Sequence, residues 1–368
     1  MSTEATSADT TTTSTNSETR IDPVLFQRRG RLGLITLNRP QAINALNHEM
    51  VRLIQHALAE WSTDDAVTVI ALVGSGERGL CAGGDIVSIY RDATGGGESS
   101  VQFWRDEYTL NAAIARYPKP FVAVMDGIVL GGGIGLSAHA SHRIVTETSS
   151  VGLPEVTIGF VPDVGGTFLL SRAPGELGTH LALTAGSVGA ADTIALGFAD
   201  HFVPRQRLGE LLDGLTEAED EAAVVAVIAG VEGEAGASTL TGDRGWIDAA
   251  YGSDDLEEIM SRLGGGTGAH AAETIATKSP TALKVTLASV RRARQLPDLE
   301  TVLEQEFRVS VHCLGSPDFA EGVRAQVIDK DRNPHWNPGS IGEVSADLVE
   351  SFFAPPPGGD LRLTRGES

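Results

Sequence analysis

Cysteines, aromatic residues and long apolar runs are scarce in this sequence of 368 residues. The two cysteines, Cys81 and Cys313, lie far apart and outside any metal-ligand spacing, which argues against a disulfide framework or a structural zinc site and favours a reducing compartment. No apolar run approaches the roughly 20 residues of a membrane-spanning helix, so we expect no membrane partner. Aromatic residues form 5% of the chain and leave few platforms on which single-stranded nucleic acid could stack.

Positive charge is also scarce, because 28 Lys and Arg residues stand against 49 Asp and Glu residues. The formal charge of −21 would repel a polyanion, so nucleic acid is not an expected partner. An anionic small molecule stays possible, because local cations and backbone N–H groups can bind it. The chain does contain 41% apolar residues and 43 glycines, a composition typical of a globular, loop-rich α/β protein.

The N-terminal segment, residues 1–20, consists mostly of Ser and Thr and has no cation before Arg20. A secretory signal begins with basic residues and a mitochondrial transit peptide is rich in Arg, so this segment matches neither. We expect it to be a disordered tail. Together with the reducing compartment, this composition predicts a cytoplasmic protein.

Strand and helix patterns divide the rest of the chain into three parts. Residues 21–205 repeat a β-β-α rhythm and predict an α/β core that begins with paired strands at Val24–Phe26 and Leu32–Leu37. Residues 206–345 predict a mainly helical section, of which the acidic part 206–270 contains no candidate site. Residues 346–368 predict a C-terminal tail that is disordered from Pro355 onward.

Two glycine-rich turns each follow an apolar, strand-like run. Val67–Val73 leads to Gly79-Leu80-Cys81-Ala82-Gly83-Gly84-Asp85, and Phe121–Met125 leads to a turn that ends in Gly131-Gly132-Gly133. Glycine lets a ligand approach bare backbone, and two such turns can direct two N–H donors at one oxygen atom. The second turn is explained equally well as a tight connection between a strand and a short helix at 132–140.

Two carboxylates, Glu155 and Asp163, follow the glycine turns. Each has a structural alternative, since Glu155 follows Pro154 near the start of a helix or turn, and Asp163 precedes Gly165-Gly166 where it could cap a helix. Two N–H donors for an oxyanion and two carboxylates for proton or acyl chemistry together outline a site that handles thioesters.

Three further features have simple structural interpretations. No base accompanies Cys81, which favours an inert buried thiol over a nucleophile. Glu107 lies in a predicted helix, Val101–Tyr117, where a solvated face is the default position for Glu. The stretch Gly74–Gly79 matches the G-x-G-x-x-G fingerprint, but the residues that follow do not favour a helix, so we expect no nicotinamide or flavin cofactor.

Several short motifs, in order along the chain, resemble the crotonase (enoyl-CoA hydratase/isomerase) superfamily, over roughly residues 24–338 except 206–270. The motifs typical of the superfamily are Asn38-Arg39-Pro40, Asn44-Ala45-Leu46, Cys81–Asp85 and Gly131–Gly133. The motifs typical of its hydrolase subgroup are Gly131–Ser137, Pro154-Glu155 and Pro162–Gly166, with further support from Asp106–Asn111, Ser279–Thr281 and Glu321–Asp331. The resemblance implies an α/β fold, a spiral of ββα units with a C-terminal helical section, that binds acyl-CoA.

The resemblance also implies roles for individual residues. The backbone N–H groups of Gly84 and Gly132 match the donors that hold the thioester oxygen. Glu155 matches the catalytic glutamate of the family, Asp163 the catalytic aspartate of the hydrolases, and Glu107 a glutamate that contacts substrate.

One position separates the subgroups of the family. A hydratase holds its water between two glutamates, one of which projects from the helix after the Gly triplet. The matching position here is Gly135, which has no side chain. The resemblance therefore favours the hydrolase over the hydratase.

The implied activity is cleavage of 3-hydroxyisobutyryl-CoA to 3-hydroxyisobutyrate and CoA, a step of valine breakdown, with Glu155 as nucleophile or general base. No metal or redox cofactor is implied, since CoA is part of the substrate. The alternatives are an enoyl-CoA hydratase/isomerase that uses Glu155 alone, and a non-catalytic scaffold that binds acyl-CoA. A homo-oligomer, trimeric or hexameric, is also implied.

Overall fold

A β-hairpin opens the fold. In the computed structural model, which describes residues 22–364, strand β1 (Val24–Arg29) pairs antiparallel with β2 (Leu32–Leu37). Gly30 makes the turn between them at φ 57°, a left-handed conformation that glycine adopts without steric penalty. The predicted pairing of these runs is confirmed, and the predicted N-terminal tail lies outside the described residues.

Two sheets form the centre of the described chain. The further strands are β3 Val69–Gly74, β4 Phe121–Met125, β5 Ile128–Leu130, β6 His142–Val145, β7 Ser150–Gly152, β8 Ser187–Val188 and β9 His201–Phe202. The larger sheet has the order β1-β2-β3-β4-β6-β9 and is parallel beyond the hairpin, while β5, β7 and β8 form the smaller one. Parallel neighbours need crossover connections, and these connections contain the glycine turns.

Helices cover the larger sheet and form most of the second half of the described chain. Their bounds are α1 His48–Thr63, α2 Ile86–Ala93, α3 Glu98–Ala115, α4 Gly132–Ser137, α5 Gly166–Arg172, α6 Leu177–Thr184, α7 Ala190–Ala195, α8 Leu208–Leu215, α9 Glu221–Val231, α10 Thr239–Tyr251, α11 Leu256–Leu263, α12 Ala269–Ala276, α13 Pro280–Ala293, α14 Leu299–Leu314, α15 Pro317–Val323 and α16 Ala346–Ser351. Polar caps fix their starts, since Asn47 and Asp298 accept hydrogen bonds from the first turns of α1 and α14.

The larger sheet is buried on both faces, because its strands alternate side chains between two apolar clusters. Ile35 and Leu72 lie on the face that packs toward α1 and the candidate site, within the larger cluster. Leu34 and Ala71 lie on the opposite face. Helices α8 and α9 cover that second face, so the acidic segment that starts at residue 206 contributes to the core and not to the site.

The expectation of a disordered tail from Pro355 is wrong for its described part. Arg308 on α14 donates to the Asp360 carboxylate at 2.8 Å, and Arg105 on α3 donates to the Asp360 carbonyl at 3.0 Å. Leu361 is buried in the main core. These charged and apolar contacts hold the segment against α3 and α14, and its Pro- and Gly-rich composition did not indicate them.

Within residues 22–364, none of the helices combines the length and apolar character that crossing a membrane requires. The proposed divisions at residues 205 and 345 stay predictions.

Candidate active site

The first glycine turn is held in place by the Asn-Arg-Pro region that precedes α1. The side-chain amide of Asn44 donates to the carbonyls of Ser75 and Gly79 at 3.0 and 3.1 Å, and its oxygen accepts from the Arg39 N–H. The Arg39 guanidinium donates to Asp85 at 3.0 Å. The motif residues therefore fix both ends of the segment that presents Gly84.

The second glycine turn meets the first at the start of α4. A β-carbon on Gly132 would lie 3.5 Å from the Gly84 nitrogen and only 2.7 Å from Glu107 Oε1, so the close approach requires glycine. Among the described residues, neither the Gly84 nor the Gly132 N–H donates a hydrogen bond to another group. Two free donors thus lie side by side, as the sequence predicted.

Glu155 begins a short 3-10 helix, Glu155–Ile158, and its side chain points back toward the second turn. A β-carbon on Gly131 would lie 3.0 Å from Glu155 Oε1, and Oε2 is buried without a partner among the described residues. Burial, assisted by the charge of Asp163, raises the pKa of Glu155 well above its usual value. A buried, unpaired carboxyl is costly, and such groups are concentrated at functional sites.

Asp163 lies nearby and does not cap a helix with its side chain. Helix α5 begins without a side-chain cap, and the Asp163 carboxylate instead accepts a hydrogen bond of 2.7 Å from the Tyr108 hydroxyl. Burial raises the pKa of Asp163 to about 7, while the Tyr108 hydrogen bond acts in the opposite direction. The capping alternative is therefore wrong, and the residue can exchange a proton near neutral pH.

Glu107 is not on a solvated face, which corrects the interpretation from spacing alone. Its side chain on α3 is 2% exposed, and Oε1 has no partner among the described residues. Helix α3 packs against α1 on one side and α14 on another, so few of its positions face water. Burial and the charge of Asp163 raise the pKa of Glu107 well above its usual value.

The position of Gly135 is closed by neighbouring side chains. A β-carbon there would lie 2.7 Å from Val164 Cβ and 2.8 Å from the Asn111 amide nitrogen. Asn111 lies one helical turn after Glu107 on α3, is fully buried, and has no partner for either amide atom among the described residues. The sequence analysis included Asn111 in a supporting motif but assigned it no role, although its spacing of four residues from Glu107 was a usable signal.

Helix α14 supports the loop that follows Asp163. The Glu306 carboxylate accepts from the Gly165 N–H at 2.6 Å and from the Thr167 N–H and hydroxyl at 2.8 and 2.6 Å. Burial raises the pKa of Glu306 to about 8. Val164, which lies between Asp163 and Gly165 in this loop, has φ 56°, a strained conformation for a β-branched residue. Sequence reasoning also missed this support.

All five predicted site residues line one cavity of about 230 Å³, namely Gly84, Glu107, Gly132, Glu155 and Asp163. Its walls are mostly apolar and include Ile86, Ile89, Phe103, Trp104, Phe160 and Phe319.

Within residues 22–364 no three His, Cys, Asp or Glu residues are grouped so that they could hold a metal ion. Cys81 is buried as predicted, and burial raises the pKa of its thiol to about 12, which disfavours the nucleophilic thiolate.

Similarity to known proteins extends over most of the chain. Residues 32–353 match the family described as enoyl-CoA hydratase/isomerase. A protein of Danio rerio named 3-hydroxyisobutyryl-CoA hydrolase, mitochondrial, is 37% identical over 351 residues, covering 92% of this chain and 91% of that protein. The Homo sapiens protein of the same name is 35% identical over 355 residues, covering 93% of this chain and 91% of its own.

Two solved structures have the same fold. A carnitinyl-CoA dehydratase from Mycobacterium thermoresistibile is 48% identical with a TM-score of 0.89, covering 93% of this chain and 99% of that one. An enoyl-CoA hydratase from Rhodobacter sphaeroides 2.4.1 is 39% identical with a TM-score of 0.84, covering 91% and 98%. The predicted fold class is thereby confirmed. The chain belongs to the enoyl-CoA hydratase/isomerase family.

Proposed function

We propose that this protein hydrolyses 3-hydroxyisobutyryl-CoA to 3-hydroxyisobutyrate and CoA. The observation that carries the proposal is that Glu155 and Asp163 share one small cavity with the free N–H groups of Gly84 and Gly132. The relatives named 3-hydroxyisobutyryl-CoA hydrolase support it, because they match this chain over more than nine-tenths of its length.

The two N–H groups would hold the thioester oxygen. As the carbonyl carbon becomes tetrahedral, negative charge grows on that oxygen, and fixed donors in a buried cavity bind it better than they bind the ground state. Loss of one such donor typically raises the barrier by roughly 3 kcal/mol. Gly84 and Gly132 supply this stabilisation from backbone alone, which leaves the side chains free for proton transfer.

Glu155 would act on the acyl carbon or on the attacking water, and Asp163 would supply the proton to the leaving group. Ionised Glu155 attacks the carbonyl carbon to give a mixed anhydride, which water then opens, or it removes a proton from an attacking water. On either route the C–S bond breaks, and Asp163 delivers a proton to the departing thiolate to give free CoA. The Glu107 carboxyl, buried in the same cavity, would hydrogen-bond the 3-hydroxyl of the substrate.

The cavity can hold a short acyl group. A volume of about 230 Å³ with mostly apolar walls suits a branched four-carbon acyl chain with one hydroxyl. Trp104 and Phe160 stack at 5.4 Å between ring centroids and close one wall.

An enoyl-CoA hydratase is the second candidate, because the two solved structures described above are named a dehydratase and a hydratase. Against it stands Gly135, where Asn111 and Val164 occupy the space that a second glutamate would need. Incubation with 3-hydroxyisobutyryl-CoA and separately with crotonyl-CoA distinguishes the candidates. Release of free thiol supports the hydrolase, loss of enoyl absorbance without thiol supports the hydratase, and neither change supports a binding scaffold.

The reaction as proposed needs no resident cofactor, since hydrolysis transfers no electrons and backbone donors polarise the carbonyl. Activity should therefore survive a chelator. Loss of activity with a chelator and its recovery on addition of a divalent metal would contradict this.

We also propose that the protein forms a trimer or hexamer, which sedimentation would measure. A cytoplasmic location stays a prediction to be tested by cell fractionation, since the named relatives are described as mitochondrial.

A further inference from the structure

We propose that Tyr108, oriented by Ser310, is a positioning residue that holds one oxygen of Asp163 and adjusts its acidity during proton transfer. This inference rests on the proposed function, in which Asp163 delivers a proton to the departing thiolate. Neither the motifs nor the named relatives assign a role to Tyr108 or Ser310.

The three residues form a continuous chain of hydrogen bonds in the protein interior. The Tyr108 hydroxyl donates to Asp163 Oδ2 at 2.7 Å and lies 2.8 Å from the Ser310 hydroxyl oxygen. Tyr108 and Ser310 are fully buried, and Asp163 is 6% exposed. Such a network, with each polar group satisfied, defines one arrangement and leaves little freedom for the carboxyl to rotate.

The number of hydrogens available on each group determines which group donates in each of these hydrogen bonds. A phenol has one hydrogen to donate, and an ionised carboxylate can only accept, so the Tyr108 hydrogen is directed at Asp163. Ser310 then donates its own hydrogen to the phenol oxygen. Asp163 Oδ2 is thereby occupied, and Oδ1 is the oxygen left to carry the proton that the thiolate receives.

The same hydrogen bond affects the acidity of Asp163. Burial disfavours the carboxylate, and Tyr108 partly reverses this because it donates to the charged form. As Asp163 gives up its proton, its new negative charge is met by a donor already in place. The Tyr108 phenol does not itself ionise, because burial and the charge of Asp163 raise its pKa well above its usual value.

The other titratable groups that interact electrostatically with Asp163 are acidic, whereas His139 contacts the carbonyl of the neighbouring Val164 and has its pKa lowered by burial. Glu107 projects from α3, Glu155 from the 3-10 helix, and Glu306 and the Cys313 thiol from α14. The charge of Asp163 raises the pKa of each of these groups, and no Lys or Arg is among the causes of the pKa shift of Asp163 itself. The Tyr108 hydroxyl is therefore the side-chain group that favours ionised Asp163.

Tyr108→Phe removes the donor and keeps the ring. We expect kcat for thiol release to fall about tenfold with KM nearly unchanged, because the hydrogen bond stabilises Asp163 in the transition state of proton transfer and not in the bound substrate complex. The alkaline limb of kcat against pH, which requires protonated Asp163, should move up by about one pH unit. A merely structural role would not move that limb.

Tyr117→Phe is the matched control, since its hydroxyl donates to the Leu58 carbonyl at 2.9 Å outside the cavity. It should leave kcat and the pH profile unchanged. Ser310→Ala should move the alkaline limb in the same direction by less, and the double variant with Tyr108→Phe should match Tyr108→Phe alone, because Ser310 acts through Tyr108. Additive losses, or an unmoved limb in Tyr108→Phe, would overturn the proposal.

A measurement without substrate separates this inference from the proposed function. The Asp163 carboxyl carbon can be identified by 13C NMR as the signal that Asp163→Asn removes. Its titration midpoint should rise in Tyr108→Phe and stay in place in Tyr117→Phe. A midpoint that does not rise contradicts the Tyr108 role, whereas absence of thiol release from the unmodified protein contradicts the hydrolase.

Discussion

The α/β part of the chain and the helical part that follows make different contributions to the candidate site. The first part supplies the three carboxyls and both N–H donors, from Gly84 to Asp163. The helical part supplies wall residues, Phe319 and Gln326, and the supports on α14, where Glu306 and Ser310 reach the segment around Asp163. The groups proposed to react and the groups that hold them are thus separated along the sequence.

This division predicts two kinds of mutational effect. The carboxyls of Glu107, Glu155 and Asp163 are buried and have no cationic partner within residues 22–364, an arrangement that costs stability. In the proposed mechanism the same carboxyls perform the chemistry. Their removal should reduce activity without unfolding the protein. The α14 groups satisfy backbone and side-chain donors, so their removal should change stability together with activity.

Glu155→Gln should give the largest loss of activity and should leave the stability of the protein unchanged. The amide keeps the shape but can neither attack a carbonyl nor accept a proton, so kcat should fall by about 10³-fold or more. Binding of the CoA ester, measured by calorimetry, should survive. A variant that keeps a substantial fraction of kcat would remove Glu155 from the mechanism.

Asp163→Asn should lower kcat and kcat/KM together, by about 10²-fold, because a proton donor acts in the transition state. The Asn oxygen can still accept from Tyr108, so the melting temperature should not fall. Unchanged kcat with a lower melting temperature would show that Asp163 belongs with the supporting groups and not with the reacting ones.

Gly135→Glu tests whether the missing side chain separates the hydrolase from a hydratase. The new group would collide with Asn111 and Val164, and such overpacking typically costs about 1–3 kcal/mol. We expect at most weak hydration of crotonyl-CoA, because a water must be held by two carboxylates at defined distances.

The companion variant Gly135→Glu/Asn111→Ala relieves one of the two collisions and should recover part of the stability, which thermal unfolding would measure. If the unmodified protein already hydrates crotonyl-CoA faster than it releases thiol from 3-hydroxyisobutyryl-CoA, then Gly135 does not separate the two activities.

Local patterns predicted the parts of the fold that depend on nearby residues. The hairpin, the short helix after the Gly triplet and the helix α3, predicted over Val101–Tyr117, agree with the structure within a few residues. The burial of Glu107 was not predictable in this way, because it results from α1 and α14 packing on both sides of α3. Tyr108 meets partners 55 and 202 residues away, and such pairings leave no periodic signal.

The pH dependence of stability gives the smallest expected effect and bears on both parts of the molecule. Burial raises the pKa of Asp163 from 3.8 to about 7 and that of Glu306 from 4.5 to about 8. The folded protein therefore binds these protons more tightly than the unfolded chain. Their contribution to stability is fully present below the unfolded pKa values and is lost as the pH rises through about 7 and 8.

The melting temperature should accordingly fall between about pH 5 and pH 8.5, where these two groups lose their protons. Asp163→Asn and Glu306→Gln each abolish one titration, so each variant should show a shallower fall than the unmodified protein. Glu306→Gln should in addition lower the melting temperature at pH 8.5, because ionised Glu306 accepts from three donors and the amide has one acceptor oxygen. Equal slopes in all three proteins would mean that burial of these carboxyls does not control stability, and the contrast between reacting and supporting groups would then rest on activity alone.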